Sequence, residues 1–154
     1  MLPGHTESNA MASNPRLGAI IRPLQLIWLS IQRNSPSPPT PISADFIAFE
    51  STTIVPTLVH SARGRILELG PGPGNQLQRF SPSHVTTIFG VEPNPYYGSF
   101  IAAKLEKLNG LRDKYELLTC GVEDSDVLRA AGVEEGGMDA VVSVQVLCAV
   151  RDLV

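Results

Sequence analysis

RILELGPGPGNQ, residues 65–76, sets three glycines and two prolines in strict alternation behind a short apolar run. Glycine and proline serve turns of every kind, but this density exceeds what a generic turn needs. Glycine lets a ligand approach the main chain and proline stiffens it, so the pattern predicts a rigid ligand-facing turn at a strand end. A carboxylate, Glu68, sits inside the apolar run itself.

Outward from this turn the chain alternates. GRILELG (64–70) reads as a first strand, and NQLQRF as the start of a helix with Asn75 as its cap. HVTTIFGVE (84–92) is a β-branched second strand. NPYYGSFIAAKLEKLNG opens a helix with Asn94 as cap and Pro95 at the first helical position, and closes on Gly110. Tyr97, Phe100, Ile101, Leu105 and Leu108 are expected on its apolar face. KYELLTCG (114–121) is a third strand, SDVLRAAG (125–132) a short helix, and MDAVVSVQVLCAV (138–150) a fourth strand apolar enough for burial on both faces. Such a succession predicts an α/β fold, a Rossmann-like doubly wound parallel sheet of about four strands in the order 3-2-1-4.

Before this domain, residues 43–60 read as mostly helical with Pro56 as a break, and NSPSPPTP (34–41) as an extended connector. Residues 1–42 thus form a tail, an amphipathic helix and a proline-rich linker, and 43–154 the main domain. The helix spans 17–32, with Leu17, Ile21, Leu24, Trp28 and Ile31 on one face. It is too short to cross a bilayer and is expected to act as a lid or core-packing helix, with interfacial membrane contact as the alternative.

The chain of 154 residues gives room for one core, and 43% hydrophobic with 18% charged residues is globular composition. A net charge of −3, with scattered Lys and Arg, supplies no footprint for nucleic acid. Cys120 and Cys148 form no CxxC, and the three histidines at 5, 60 and 84 have no ligand spacing, so no metal is expected. Reduced thiols and a cytoplasmic location follow most simply.

Three nucleotide chemistries compete for the turn. A phosphate-binding P-loop needs Lys followed by Ser or Thr, which is missing after Gly74. A dinucleotide fingerprint would need a third glycine at 75 or 77, where Asn75 and Leu77 stand. Pro71 and Pro73 also remove two N–H donors from a turn that would have to cradle a pyrophosphate. The N–H groups of Gly72, Gly74 and Asn75 remain, which suits a ligand without phosphate such as S-adenosylmethionine. Glu92 ends the second strand 22 residues after Gly70 (92 − 70), where such folds place an acid on ribose hydroxyls.

ILELGPGPG and GVEPNP resemble the first and second motifs of class I S-adenosylmethionine-dependent methyltransferases. CGVED is similar to their segment after the third strand, and MDAVVSVQVLCAV to the fourth strand and its loop. EPNP with VLCAV is similar to the methyltransferase-like protein 7 group and its fungal relatives, small-molecule and notably thiol methyltransferases, often membrane-associated. The resemblance covers about residues 64–150. It implies transfer of a methyl group from S-adenosyl-L-methionine to a small-molecule thiol or hydroxyl, in a setting such as secondary metabolism. It places Gly70, Gly72 and Gly74 under the methionine and ribose, and Glu68 toward the methionine amino group through a water. Glu92 would take the ribose hydroxyls, Pro93 or Asn94 flank the adenine, and Val122 and Glu123 lie at its edge. Gln145, Leu147 and Cys148 would line the place where donor meets acceptor. Many class I enzymes carry an acid where this chain has Gly121.

The family sheet has seven strands ordered 3-2-1-4-5-7-6, and this chain stops shortly after the fourth. The expectation is an incomplete fold, with a non-catalytic remnant as the alternative to an enzyme. Residues 140–147 would then form an open edge without proline or charge, a template for self-association or for a partner chain.

Overall fold

The computed structural model describes residues 44–144. Residues 1–43, with the expected helix at 17–32 and the proline-rich linker, lie outside the described residues. So do Gln145, Leu147 and Cys148. The chain opens with two helices, α1 (Ala44–Ser51) and α2 (Val55–Ser61). Pro56 stands in the first turn of α2, where its missing N–H costs nothing. Four strands follow: β1 (Gly64–Leu69), β2 (Val85–Val91), β3 (Tyr115–Leu118) and β4 (Ala140–Ser143). All pairings are parallel, in the order β3-β2-β1-β4. Helix α3 (Gly98–Leu105) connects β2 to β3, and α4 (Ser125–Ala130) connects β3 to β4.

Parallel strands require crossovers, and helices on both faces bury both sides of the sheet. On one face Ile66 and Ile88 pack with Val59 of α2, Leu77, and Ile101 and Leu105 of α3. On the other, Leu69, Phe89, Val91 and Leu118 pack with Cys120, Leu128 of α4 and Val133. The two-residue alternation along β1 divides these clusters: Ile66 and Glu68 point one way, Leu67 and Leu69 the other. Glu68 therefore faces the side of the larger cluster. In register it pairs with Gly90 of β2 and with Val142 of β4.

Three expectations need correction. NQLQRF forms only a single 3-10 turn, Leu77–Arg79, with no side-chain cap. Asn75 Oδ1 instead accepts a hydrogen bond from Lys104 Nζ at 3.2 Å, and Leu77, fully buried, anchors the segment in the core. The next helix is also shorter than its pattern. Asn94 Oδ1 accepts from the Tyr96 N–H at 3.1 Å, but what it caps is a 3-10 turn, Pro95–Tyr97; α3 follows and ends at Leu105, not at Gly110. Phe100 points outward, 47% exposed, while Ile101 and Leu105 carry the packing. Finally, β4 is not buried on both faces. Val141 is 60% exposed, and among the described strands β4 has only β1 beside it.

Candidate functional site

The alternation of residues 70–74 has a direct backbone meaning. Gly70, Gly72 and Gly74 all adopt positive φ, at 56°, 55° and 76°, while proline holds φ near −65° between them. The sign of φ thus alternates along the turn, and the Gly74 N–H to Pro71 carbonyl bond closes it tightly at the carboxyl end of β1. Such a turn normally points successive N–H groups inward to hold an anion. Here Pro71 and Pro73 have none to offer. The Gly70 N–H donates to the Val91 carbonyl at 2.9 Å, continuing the β1–β2 ladder, and the Gly74 N–H donates to the Pro71 carbonyl at 2.9 Å. The Gly72 N–H donates to Glu92 Oε2 at 3.0 Å. The expectation that Gly72 and Gly74 keep their donors for a ligand is therefore corrected: both are used within the protein.

The glycines differ in what surrounds them. A Cβ at Gly74 would lie 2.6 Å from Leu77 Cδ1, so this position serves packing. A Cβ at Gly72 would meet nothing within 4 Å, so the main chain here is bare toward open space. That space belongs to a cleft of 170 Å³ lined by Glu68, Leu69, Gly70 to Pro73, Asn75, Gln76, Tyr97, Val144, and Phe46 and Glu50 of α1.

Two carboxylates frame the turn. Glu92, buried just beyond the end of β2, accepts from the Gly72 N–H through Oε2 and from the Asn94 N–H through Oε1 at 2.9 Å. Burial raises its pKa, and the two backbone bonds oppose this by favouring the charged form. Glu68 is 1% exposed at the floor of the cleft. Its Oε2 accepts from the Tyr115 hydroxyl at 2.8 Å, while Oε1 is buried with no partner among the described residues. Desolvation pushes its pKa up to about 7, against the Tyr115 hydrogen bond. Tyr115 is itself raised, by burial first and then by the charge of Glu68.

The walls are tied together by groups that sequence reading passed over. Glu50 of α1 forms a buried ion pair with Arg79, Nη1 to Oε2 at 2.7 Å, and accepts from Gln76 Nε2. Lys104 of α3 donates to the Gly74 carbonyl and to Asn75, its pKa lowered by desolvation. Tyr97 has its pKa raised by burial and by the charge of Glu92. The one available signal was Gly90, since a glycine inside a β-branched strand marks a close approach. A Cβ there would collide with the Tyr115 hydroxyl.

The structure brings Glu68, Gly70 and Gly72 to one cleft, with Glu92 and Asn94 bonded to its rim. Pro93 is exposed beside them. Val122 lines a different, broader groove of 870 Å³ with Leu67, Leu128 and Met138. Glu123 is exposed, and its Oε2 would lie 2.5 Å from a Cβ built on Gly121, so its carboxylate overhangs that glycine. A second apolar groove, 790 Å³, runs between α1, α2 and β4. Among the described residues no His, Cys, Asp and Glu cluster could hold a metal, and no helix is long and apolar enough to cross a membrane.

No family model and no curated protein matches the chain.

Proposed function

We propose that the cleft at the glycine–proline turn binds S-adenosylmethionine and that the domain is the cofactor-binding part of a small-molecule methyltransferase. The observation that carries this reading is the buried Glu68 carboxylate with one oxygen unpartnered among the described residues, beside the main chain at Gly72. A buried polar atom without a partner costs about 1–3 kcal/mol, and such a group in a cleft marks a place where a ligand supplies the missing donor. The donor set fits this ligand. Glu68 Oε1 can accept from an ammonium group. Glu92 uses two of its roughly four acceptor positions on the backbone and keeps the rest for a diol. The cleft of 170 Å³ suits the amino-acid end, and the adenosine would extend over Pro93 and Asn94.

When bound, the sulfonium supplies an activated methyl group whose bonding pair stays with sulfur as the acceptor's lone pair displaces it. The protein's share is to position and desolvate. The acceptor is a small-molecule thiol or hydroxyl. A second reading, a non-catalytic chain that pairs with another chain through a strand edge, is favoured by β4, which has only β1 beside it among the described strands, with Val141 exposed. Membrane contact through residues 17–32 stays part of the first reading.

Calorimetry of the 154-residue chain with S-adenosylmethionine, and with NADH in parallel, tests the assignment. S-adenosylmethionine is expected to bind and NADH is not. Glu92→Ala, which removes a charge-assisted acceptor, should weaken binding about ten- to a hundredfold. Equal affinity for NADH would overturn the reading.

A further inference from the structure

We propose that Tyr115 is a positioning residue: reaching from β3 across Gly90 of β2, its hydroxyl pins Oε2 of Glu68 on β1 so that Oε1 stands ready for the ammonium group of a ligand. This rests on the reading of the cleft as an S-adenosylmethionine site and adds how its floor discriminates charge.

The geometry leaves little choice of path. Tyr115 lies two residues before Leu117, the β3 partner of Gly90, and Gly90 is in turn the β2 partner of Glu68. The phenol therefore runs diagonally over β2, and any side chain at position 90 would block it. The 2.8 Å bond it makes fixes the carboxylate's orientation, and burial denies water to the second oxygen.

Polarity follows from the surroundings. Around the cleft the other titratable groups are Glu50 of α1, answered by Arg79, and Tyr97 on the turn before α3. Glu92 at the end of β2 is held by two backbone N–H groups. Lys104 is committed to the Gly74 carbonyl and Asn75. None of these supplies a cation to Glu68. With its pKa near 7, Glu68 carries a proton in much of the free protein at neutral pH. An ammonium ligand binds the ionised form, so docking expels that proton into solvent. A ligand lacking the amino group has no such exchange to make. The cleft thus selects a cationic amine, and affinity rises with pH up to about 7 and then levels while the ligand's amine stays protonated.

The test has a ligand-free arm and a ligand arm on the full chain. Carbon-13 NMR of carboxyl-labelled glutamates follows the Glu68 titration, with Glu68→Gln assigning its resonance. Tyr115→Phe keeps the ring and removes the donor, so the Glu68 midpoint should move up by about one pH unit. An unchanged midpoint overturns the positioning role. By calorimetry, wild-type affinity for S-adenosylmethionine should rise about fivefold from pH 6 to pH 7, with proton release at pH 6 seen as buffer-dependent heat. Tyr115→Phe should bind about tenfold more weakly at pH 7, and Glu68→Gln should lose the pH dependence. Wild-type and Tyr115→Phe curves that superimpose would refute the proposal. Absence of S-adenosylmethionine binding by the wild type would defeat the cofactor reading alone, and the NMR midpoints would still decide the role of Tyr115.

Discussion

Glu68 should make the protein less stable as pH rises toward neutrality, and Glu68→Gln should remove that loss. Between its ordinary value of 4.5 and about 7, the folded chain keeps a proton on Glu68 that the unfolded chain has already released. The folded state binds more protons in this window, so unfolding becomes easier as pH climbs through it. The stability is fully present below about 4.5 and fully lost above about 7. At about 1.4 kcal/mol for each tenfold in the proton equilibrium, the gap amounts to about 3 kcal/mol. Solvent does little to screen it, since Glu68 is 1% exposed, and among the described residues no cation is bonded to it. Glutamine has the same shape, accepts from Tyr115 and carries no charge. Its buried amide hydrogens cost about 1 kcal/mol where the cleft leaves them unpaired, which leaves about 2 kcal/mol of net gain at pH 8. For a chain of this length that is about 5 °C in Tm. At pH 5, where the native carboxyl is already neutral, the gain should vanish or turn slightly negative. Urea and thermal unfolding of both proteins at pH 5 and pH 8 measures this. Parallel stability curves for the two over that range would refute the argument that the charge on Glu68 is buried without compensation.

The two inner glycines of the turn should separate in their effects. Gly74→Ala meets both a left-handed backbone, about 1–2 kcal/mol, and the Leu77 contact, so its urea midpoint should fall further than that of Gly72→Ala. Gly72→Ala meets only the backbone strain, but its methyl enters the cleft and should weaken S-adenosylmethionine binding; the reverse ranking in stability would show that the turn packs differently. At the sheet edge, Val141→Lys should raise the monomer fraction in sedimentation without changing cofactor affinity. A wild-type chain that sediments as a monomer at high concentration would remove the self-association reading.

The fold was legible because strand, turn and helix signals alternate at short range. β1, β2 and β3 fall within the stretches their β-branched and apolar residues mark, and the parallel order follows from the connections between them. What failed was decided by contacts distant in sequence. The helix expected at Asn75 gives way to one 3-10 turn because Leu77 is drawn into the core beneath Gly74 and Lys104, 29 residues away, takes the Asn75 side chain. The exposure of Val141 depends on what covers that face of β4, and four residues of valine, alanine and serine carry no sign of that. Glu68, Gly72 and Glu92 could be singled out from a carboxylate in an apolar run, a dense turn and a strand-end acid. Tyr115 could not, since its partner lies 47 residues earlier and two strands away.

The electrical sign of the cleft separates it from the phosphate-binding turns it resembles in outline. In those turns the backbone offers a row of N–H groups and draws an anion. Here proline deletes alternate donors, Gly70 and Gly74 turn theirs into the protein, and Gly72 gives its own to Glu92. What the turn has beside it instead is acceptor: the buried oxygen of Glu68, unpartnered among the described residues, at the floor, and the Glu92 carboxylate bonded to Gly72. Both carboxylates have their pKa raised by burial, so a phosphate brought into this cleft would meet acceptors in place of donors and would raise the cost of their charge. A cationic amine at one end and a pair of hydroxyl donors at the other reverse both effects. The rigid alternation of glycine and proline thus strips the turn of the donors an anion cradle needs, and the proposed site for a positively charged, hydroxyl-bearing ligand rests on that loss.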